Sequence, residues 1–236
     1  MQIKAIEKVS MIDYPGKVAS TLFLAGCNFK CGYCHNPELT ELHDNKEKGG
    51  YSEREILKHL EENKKFLDGV CITGGEPTLF RELPEFLKKI RSLGFKIKLD
   101  TNGSNPIILK KVLEKHLVDY LAIDIKGPIE KSRYLQIINV KTDLGKIKKS
   151  IELAKKFPEY EFRTTCFPGI TEKDILKIAK YLNSTKADRL FVLQQFRPDK
   201  CLDKEFEKMP KTSEEDLKKF AEIARPFFKK VLIRKE

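Results

Sequence analysis

The chain has 236 residues, 40% of them hydrophobic, and carries 46 basic against 35 acidic side chains for a net charge of +11. That is enough for a full core, yet no apolar run reaches the roughly 18 residues of a membrane span, and the first residues lack the apolar centre of a signal peptide. Three of six cysteines crowd into one loop, which excludes a secreted disulfide framework and points to a reducing cytoplasm.

The residues Ile3–Val9 and Lys17–Leu24 read as strands. Between them Tyr14-Pro15-Gly16-Lys17 fits a type II turn, with Pro in the second place and Gly in the third. The loop from Ala25 to Pro37 follows, and it holds Cys27, Cys31 and Cys34 at the spacing C-x3-C-x2-C. A loop of this length can turn three thiolates toward one point. Three are one short of a closed structural zinc site. They suit a four-iron, four-sulfur (4Fe-4S) cluster with one iron left open for chemistry. A zinc knuckle completed by His35 is the alternative, although His35 directly follows Cys34 and is awkward as a ligand to the same ion.

After a polar segment ending at Gly50, Ser52 and Glu55 have the spacing of a capping box, and Ile56, Leu57 and Leu60 give the next helix one apolar face. A strand–loop–helix rhythm then repeats. Gly69–Thr73 is a short buried strand ahead of Gly74-Gly75-Glu76-Pro77. A helix through Phe86, Leu87, Ile90 and Leu93 stops at Gly94. Phe95–Leu99 is a strand ahead of Asp100-Thr101-Asn102-Gly103, and a helix over Ile107–His116 follows. The strand Asp119–Ile125 leads to Lys126-Gly127-Pro128, and a helix opens near Thr142. The strand Tyr160–Cys166 comes next, then a helix capped by Thr171 to Asp174 and running through Leu182. The strand Leu190–Leu193 ends at Gln194-Gln195-Phe196-Arg197. A last helix, Ser213–Ala224, is cut by Pro226, and Val231–Arg234 forms a short final strand.

Counting the strand before the cysteines, about six parallel strands alternate with helices. Right-handed crossovers bring their C-terminal ends to one rim, where barrel enzymes build their sites. Six units are too few for an eight-stranded barrel. The expected fold is therefore α/β, a partial (β/α)6 barrel open on one side, with a doubly wound sheet as the alternative. No linker divides the chain, so 1–236 reads as one domain.

C-x3-C-x2-C with the aromatic Tyr33 before its third cysteine resembles the signature of the radical S-adenosylmethionine (SAM) enzymes. The wider strings S-M-I-D-Y-P-G-K and T-L-F-L-A-G-C-N-F-K-C-G-Y-C-H-N-P resemble those of activating proteins for anaerobic ribonucleoside-triphosphate reductase, relatives of the pyruvate formate-lyase activating enzymes. The resemblance implies that Cys27, Cys31 and Cys34 hold the cluster, with Tyr33 beside the cofactor. Gly74, Gly75 and Glu76 match the motif that binds the SAM amino group. Two glycines permit close backbone approach, and the carboxylate offers an acceptor for an ammonium.

Asp100, Thr101 and Asn102, with Asp124 and Lys126, resemble strings that bind SAM in glycyl-radical activases, where both aspartates also help to hold a monovalent cation. Without the resemblance, the first string is a turn and the second a charge pair at a strand end. Arg163 sits in a strand that otherwise looks buried and needs a partner, either the SAM carboxylate or Asp124. Gln195, counted with the cofactor-binding set, and Arg197 would line the substrate side. Cys71 reads as a core residue, Cys166 as a residue that approaches the pocket, and Cys201 as a lone loop cysteine.

The activity implied is reductive cleavage of SAM to a 5′-deoxyadenosyl radical that removes hydrogen from a glycine of the reductase. A flavodoxin or ferredoxin is the implied electron donor, and a basic surface suits such acidic partners. No dense basic tract or aromatic stacking motif points to nucleic acid. The rival readings are activation of another glycyl-radical enzyme, radical chemistry on a small molecule, and a non-catalytic iron–sulfur carrier or zinc module. A carrier usually saturates its irons, whereas this loop supplies three ligands.

Overall fold

The computed structural model describes residues 1–42 and 50–235; the polar segment expected over 41–50 falls largely outside them. Eight strands lie in chain order in one sheet: β1 (Ile3–Ser10), β2 (Ala19–Leu24), β3 (Gly69–Gly74), β4 (Lys96–Thr101), β5 (Tyr120–Asp124), β6 (Glu159–Cys166), β7 (Leu190–Gln195) and β8 (Lys230–Arg234). β1 pairs antiparallel with β2, and every later neighbour pair is parallel. The sheet runs from β1 to β8 without closing, so it is a partial barrel and not a doubly wound sheet, whose strand order reverses at a switch point. The short strand at the end of the chain becomes a seventh parallel strand beside β7, one more than the six units expected.

The β1–β2 hairpin turns where the Pro-Gly pair requires it. Gly16 has φ +70°, and the Lys17 N–H donates to the Tyr14 carbonyl at 3.1 Å. The helices are α1 (Glu53–Glu62), α2 (Leu83–Ser92), α3 (Pro106–Glu114), α4 (Lys131–Ile138), α5 (Leu144–Ala154), α6 (Glu172–Ser184), α7 (Lys204–Glu207) and α8 (Glu214–Ala224). Both sequence-legible capping boxes form, Ser52 with Glu55 on α1 and Thr171 with Asp174 on α6. Gly94 closes the turn after α2 at φ +93°. α4 was not expected. It has no side-chain hydrogen bond at its N-cap, Glu130, and ends on left-handed Asn139, so the usual start signal is missing.

Strand alternation divides the side chains between two interiors. On β4, Ile97 and Leu99 join the apolar core, whereas Lys98 and Asp100 line the cavity within the partial barrel. The parallel crossovers bring the ends of β2 to β7 to one rim above that cavity. Among the described residues no helix is long and apolar enough to cross a membrane.

Candidate radical centre

The cysteine loop leaves β2 at Leu24 and is held by backbone hydrogen bonds from several directions. Gly26 N–H donates to the Leu39 carbonyl at 2.8 Å and Cys27 N–H to the Thr40 carbonyl at 3.1 Å. Lys30 N–H reaches the carbonyl of Ile138, at the end of α4, at 2.9 Å. From the far side, the N–H groups of Leu202 and Asp203 donate to the carbonyls of Cys34 and Gly32 at 3.1 and 2.9 Å. Tyr33 stacks on Phe167 with centroids 4.2 Å apart and meets Phe206 edge-on at 6.2 Å. A loop tied at this many points is pre-organised before any ligand arrives.

Gly74 and Gly75 are required by that loop as much as by a ligand. Gly74 has φ +117°, and a Cβ there would collide with the Leu24 backbone. A Cβ on Gly75 would collide with the Gly26 carbonyl. Gly75 N–H donates to Leu24 and Glu76 N–H to Gly26, at 2.7 and 2.8 Å, so the end of β3 lies directly against the approach to Cys27.

Glu76 differs from its expected place. It is fully buried, and its oxygens accept from Thr78 N–H at 2.9 Å, the Thr78 hydroxyl at 2.5 Å, the Thr101 hydroxyl at 2.7 Å and Asn102 N–H at 2.6 Å. It does not line the cavity, so the carboxylate expected to meet an ammonium group instead fastens β3 to β4. Burial pushes its pKa up, and the four hydrogen bonds work against that rise.

The other expected site residues, Cys27, Cys31, Tyr33, Cys34, Gly74, Gly75, Asp100, Thr101, Asn102, Asp124, Lys126, Arg163 and Gln195, line one cavity of about 790 Å³. Asn102 reaches back to the cysteine loop, its side-chain amide donating to the Asn28 Oδ1 at 2.9 Å, and Asn28 donates to the Ser104 hydroxyl at 2.9 Å. Asn28 was not singled out in the sequence, although its place directly after Cys27 was a signal. Gln195 donates to the Thr212 carbonyl at 2.6 Å, which ties the end of β7 to the segment before α8. Cys166 is buried away from the cavity, its thiol facing the Thr164 carbonyl, and does not approach the pocket as expected. Cys71 is buried beneath Lys98, with Nζ 3.7 Å from its sulfur, and Cys201 is buried in its loop.

The floor of the cavity is an ion-paired network. Arg163 bridges two strands, Nη1 donating to Asp100 Oδ2 at 2.9 Å and Nε to Asp124 Oδ1 at 2.8 Å. Lys98 takes Asp100 Oδ1, and Lys126 takes Asp124 Oδ2 at 3.1 Å. Arg163 therefore has both its carboxylate partners within the protein. Burial opposes ionisation of each aspartate, but Arg163, then Lys98 for Asp100 and Lys126 for Asp124, offset it and hold both carboxyls below their usual range.

The loop's chemistry fits an iron–sulfur cluster. Burial pushes the Cys27 thiol up to about 12 and the Cys31 thiol up to about 11, and a metal that replaces the proton offsets that cost of burial. Among the described residues, no three His, Cys, Asp or Glu side chains gather closely enough to hold one metal ion, as a zinc knuckle requires. A cluster asks for one thiolate on each iron instead. His35 Nδ1 is buried on this loop without a hydrogen-bond partner, as expected where a further group completes the site, and the Tyr33 hydroxyl faces the Cys31 thiol. At Asp100 and Asp124, the pair expected to help hold a monovalent cation, each of the four carboxylate oxygens faces a cationic side chain, Lys98, Lys126 or Arg163.

Comparison with known proteins places this geometry in context. The profile of the Radical SAM superfamily matches residues 21–182. A Methanocaldococcus jannaschii protein provisionally named a glycyl-radical enzyme activating enzyme is 36% identical, over 98% of this chain and 95% of its own. The pyruvate formate-lyase-activating enzyme of Clostridium pasteurianum is 34% identical over 53% of this chain and 52% of its own length. Among solved structures, Streptococcus suis SuiB bound to S-adenosylmethionine superposes with a TM-score of 0.64 at 17% identity, covering 92% of this chain. The chain spans about half of SuiB (51%), and that likeness concerns the fold alone.

Proposed function

The chain belongs to the radical SAM superfamily and to its glycyl-radical enzyme activating family, and within that family we propose that it activates an anaerobic ribonucleoside-triphosphate reductase. The observation that carries the activase part of the reading is the one cavity shared by Cys27, Cys31, Cys34 and the ends of β3 to β7. The family uses a 4Fe-4S cluster and SAM. When bound, they supply a 5′-deoxyadenosyl radical by reductive cleavage of the sulfonium–carbon bond.

Within that chemistry the protein orients SAM and excludes water. Cys27, Cys31 and Cys34 would hold three irons. The backbone at Gly74 and Gly75 and the polar ends of β4 and β5 would receive the methionyl part of SAM. The network around Arg163 offers fixed charge in a water-poor floor, where electrostatic orientation is strongest. Tyr33, Phe167 and Phe206 wall the loop on the β6 side. The unclosed sheet leaves room for a loop of a protein substrate to reach the radical.

The choice of reductase rests on the strings around Asp13-Tyr14-Pro15-Gly16 and Cys34-His35-Asn36-Pro37. The Clostridium relative favours a second reading, the same activation directed at a pyruvate formate-lyase type partner. The electron donor in either case is a flavodoxin or ferredoxin, drawn by the net charge of +11. We further propose that the chain acts as a single domain and in the cytoplasm.

The test is anaerobic incubation with SAM, reductant and each candidate partner, read by electron paramagnetic resonance. A doublet that changes when the reductase glycine is deuterated is the expected result. Radical formation only on a pyruvate formate-lyase partner selects the second reading. Efficient turnover of a small molecule, with no radical on either protein, overturns both.

A further inference from the structure

The floor of the cavity contains a cation that the sequence did not reveal. Lys98 lies in the middle of β4 and is 1% exposed, two residues before Asp100 on the same strand face. Its ammonium contacts Asp100 Oδ1, leaving Oδ2 to Arg163. Arg163 and Lys126 take the two oxygens of Asp124. Beneath them Glu161 is 4.0 Å from Arg163 and 3.5 Å from Arg234, and Tyr120 donates its hydroxyl to the other Glu161 oxygen at 2.7 Å.

Within this network four cationic side chains, Lys98, Lys126, Arg163 and Arg234, face three carboxylates, Asp100, Asp124 and Glu161. The surplus of one positive charge repels a further cation and attracts an anion. A metal ion would also need oxygen ligands from the aspartates, and it would have to approach each of those oxygens on its second lone pair, against the cationic donor already there.

We propose that Lys98 is a built-in counter-cation, standing where a monovalent metal ion would otherwise neutralise Asp100, and that this chain binds SAM without such an ion. The inference rests on the reading of the cavity as a SAM site and adds to it a positioning residue. Lys98 acts through Asp100 and Arg163: with Asp100 neutralised by Lys98, Arg163 keeps its bridge to Asp124, and the net positive charge of the network as a whole favours the SAM carboxylate. A covalently attached ammonium carries no cost of capturing an ion from solution, and it holds the same geometry at any sodium or potassium concentration.

The experiment has two arms, both anaerobic and at matched ionic strength in sodium, potassium or choline chloride. The first follows thermal unfolding of the protein without cluster or SAM. Wild type should melt at the same temperature in all three salts; a rise specific to sodium or potassium would show a bound metal ion and overturn the proposal. This arm does not depend on the SAM reading.

The second arm measures SAM affinity of cluster-loaded protein by equilibrium dialysis. Wild type should bind equally in the three salts, and affinity lost in choline overturns the proposal. Lys98→Met should weaken binding about tenfold or more in choline, from the loss of one charged buried partner. Lys98→Arg, which keeps the charge, should recover most of that loss. Lys98→Met binding as tightly as wild type in choline would overturn the role of Lys98. Should Lys98→Met fail to fold, Lys98→Arg and the wild-type salt series decide. Failure of wild type to bind SAM at all would count against the SAM-site reading, while the melting arm still tests the cation.

Discussion

Glu76 Oε2 accepts the backbone N–H of Asn102 at 2.6 Å, so a single buried carboxylate fastens the turn after β3 to the end of β4. Asn102 in turn holds Asn28, the residue after Cys27. Within the motif that reads as a ligand contact in sequence, the Glu76 carboxylate is also a joint on which the cysteine loop rests.

Glu76→Ala should therefore act first on stability. It leaves Thr78, Thr101 and Asn102 donors without an acceptor, and the expected loss is about 3 kcal/mol. Urea denaturation of the cluster-free protein measures it. A variant as stable as wild type would return Glu76 to a role at the ligand.

Replacing Cys27, Cys31 or Cys34 by Ala should abolish reductive SAM cleavage, while reconstituted wild type holds about four irons per chain. Cys166→Ala, buried away from the cavity, should keep its iron. Iron and sulfide assays with a dithionite-driven cleavage assay decide this. Wild-type cleavage in any of the three loop variants would remove that cysteine from the ligand set.

Gly74→Ala and Gly75→Ala should each destabilise the protein by roughly 2–3 kcal/mol, the cost of forcing atoms into a close-packed contact. Because the collisions are with Leu24 and Gly26, the cysteine loop should be displaced as well. Lower iron uptake together with a lower denaturation midpoint is the expected pair of observations. Iron uptake unchanged in both variants would contradict the close approach.

The ion-paired aspartates of the cavity floor set the acid limit of stability. Asp100 and Asp124 both have depressed folded pKa values, so the unfolded chain binds more protons in the interval below an ordinary aspartate pKa of about 3.9. Their contribution is present above that pH and is lost as pH falls through the folded values. Stability should therefore drop steeply below about pH 4, and Asp124→Asn, less stable at neutral pH, should show a shallower acid limb. Urea midpoints from pH 7 to 3 give the two slopes; parallel slopes would assign acid sensitivity elsewhere.

Much of this protein is determined by its sequence alone, because the signals are local. The spacing of Cys27, Cys31 and Cys34 counts ligands without reference to the rest of the chain. Ser52 with Glu55 and Thr171 with Asp174 start helices through contacts three residues apart. The rhythm of strands and helices fixes a parallel order through the handedness of its crossovers.

What only the tertiary structure decided is which face of each strand meets which interior. In Lys96-Ile97-Lys98-Leu99-Asp100, alternation separates two faces but does not say that the charged one is buried. The helix layer takes Ile97 and Leu99, and the inner face of the partial barrel then receives Lys98 and Asp100, which can be buried only because Arg163 arrives from β6. Glu76 and Asn28 acquire their roles in the same way, from partners 26 and 74 residues away. A charge's partner across a sheet follows from topology and register, and neither is written in the residues on either side of it.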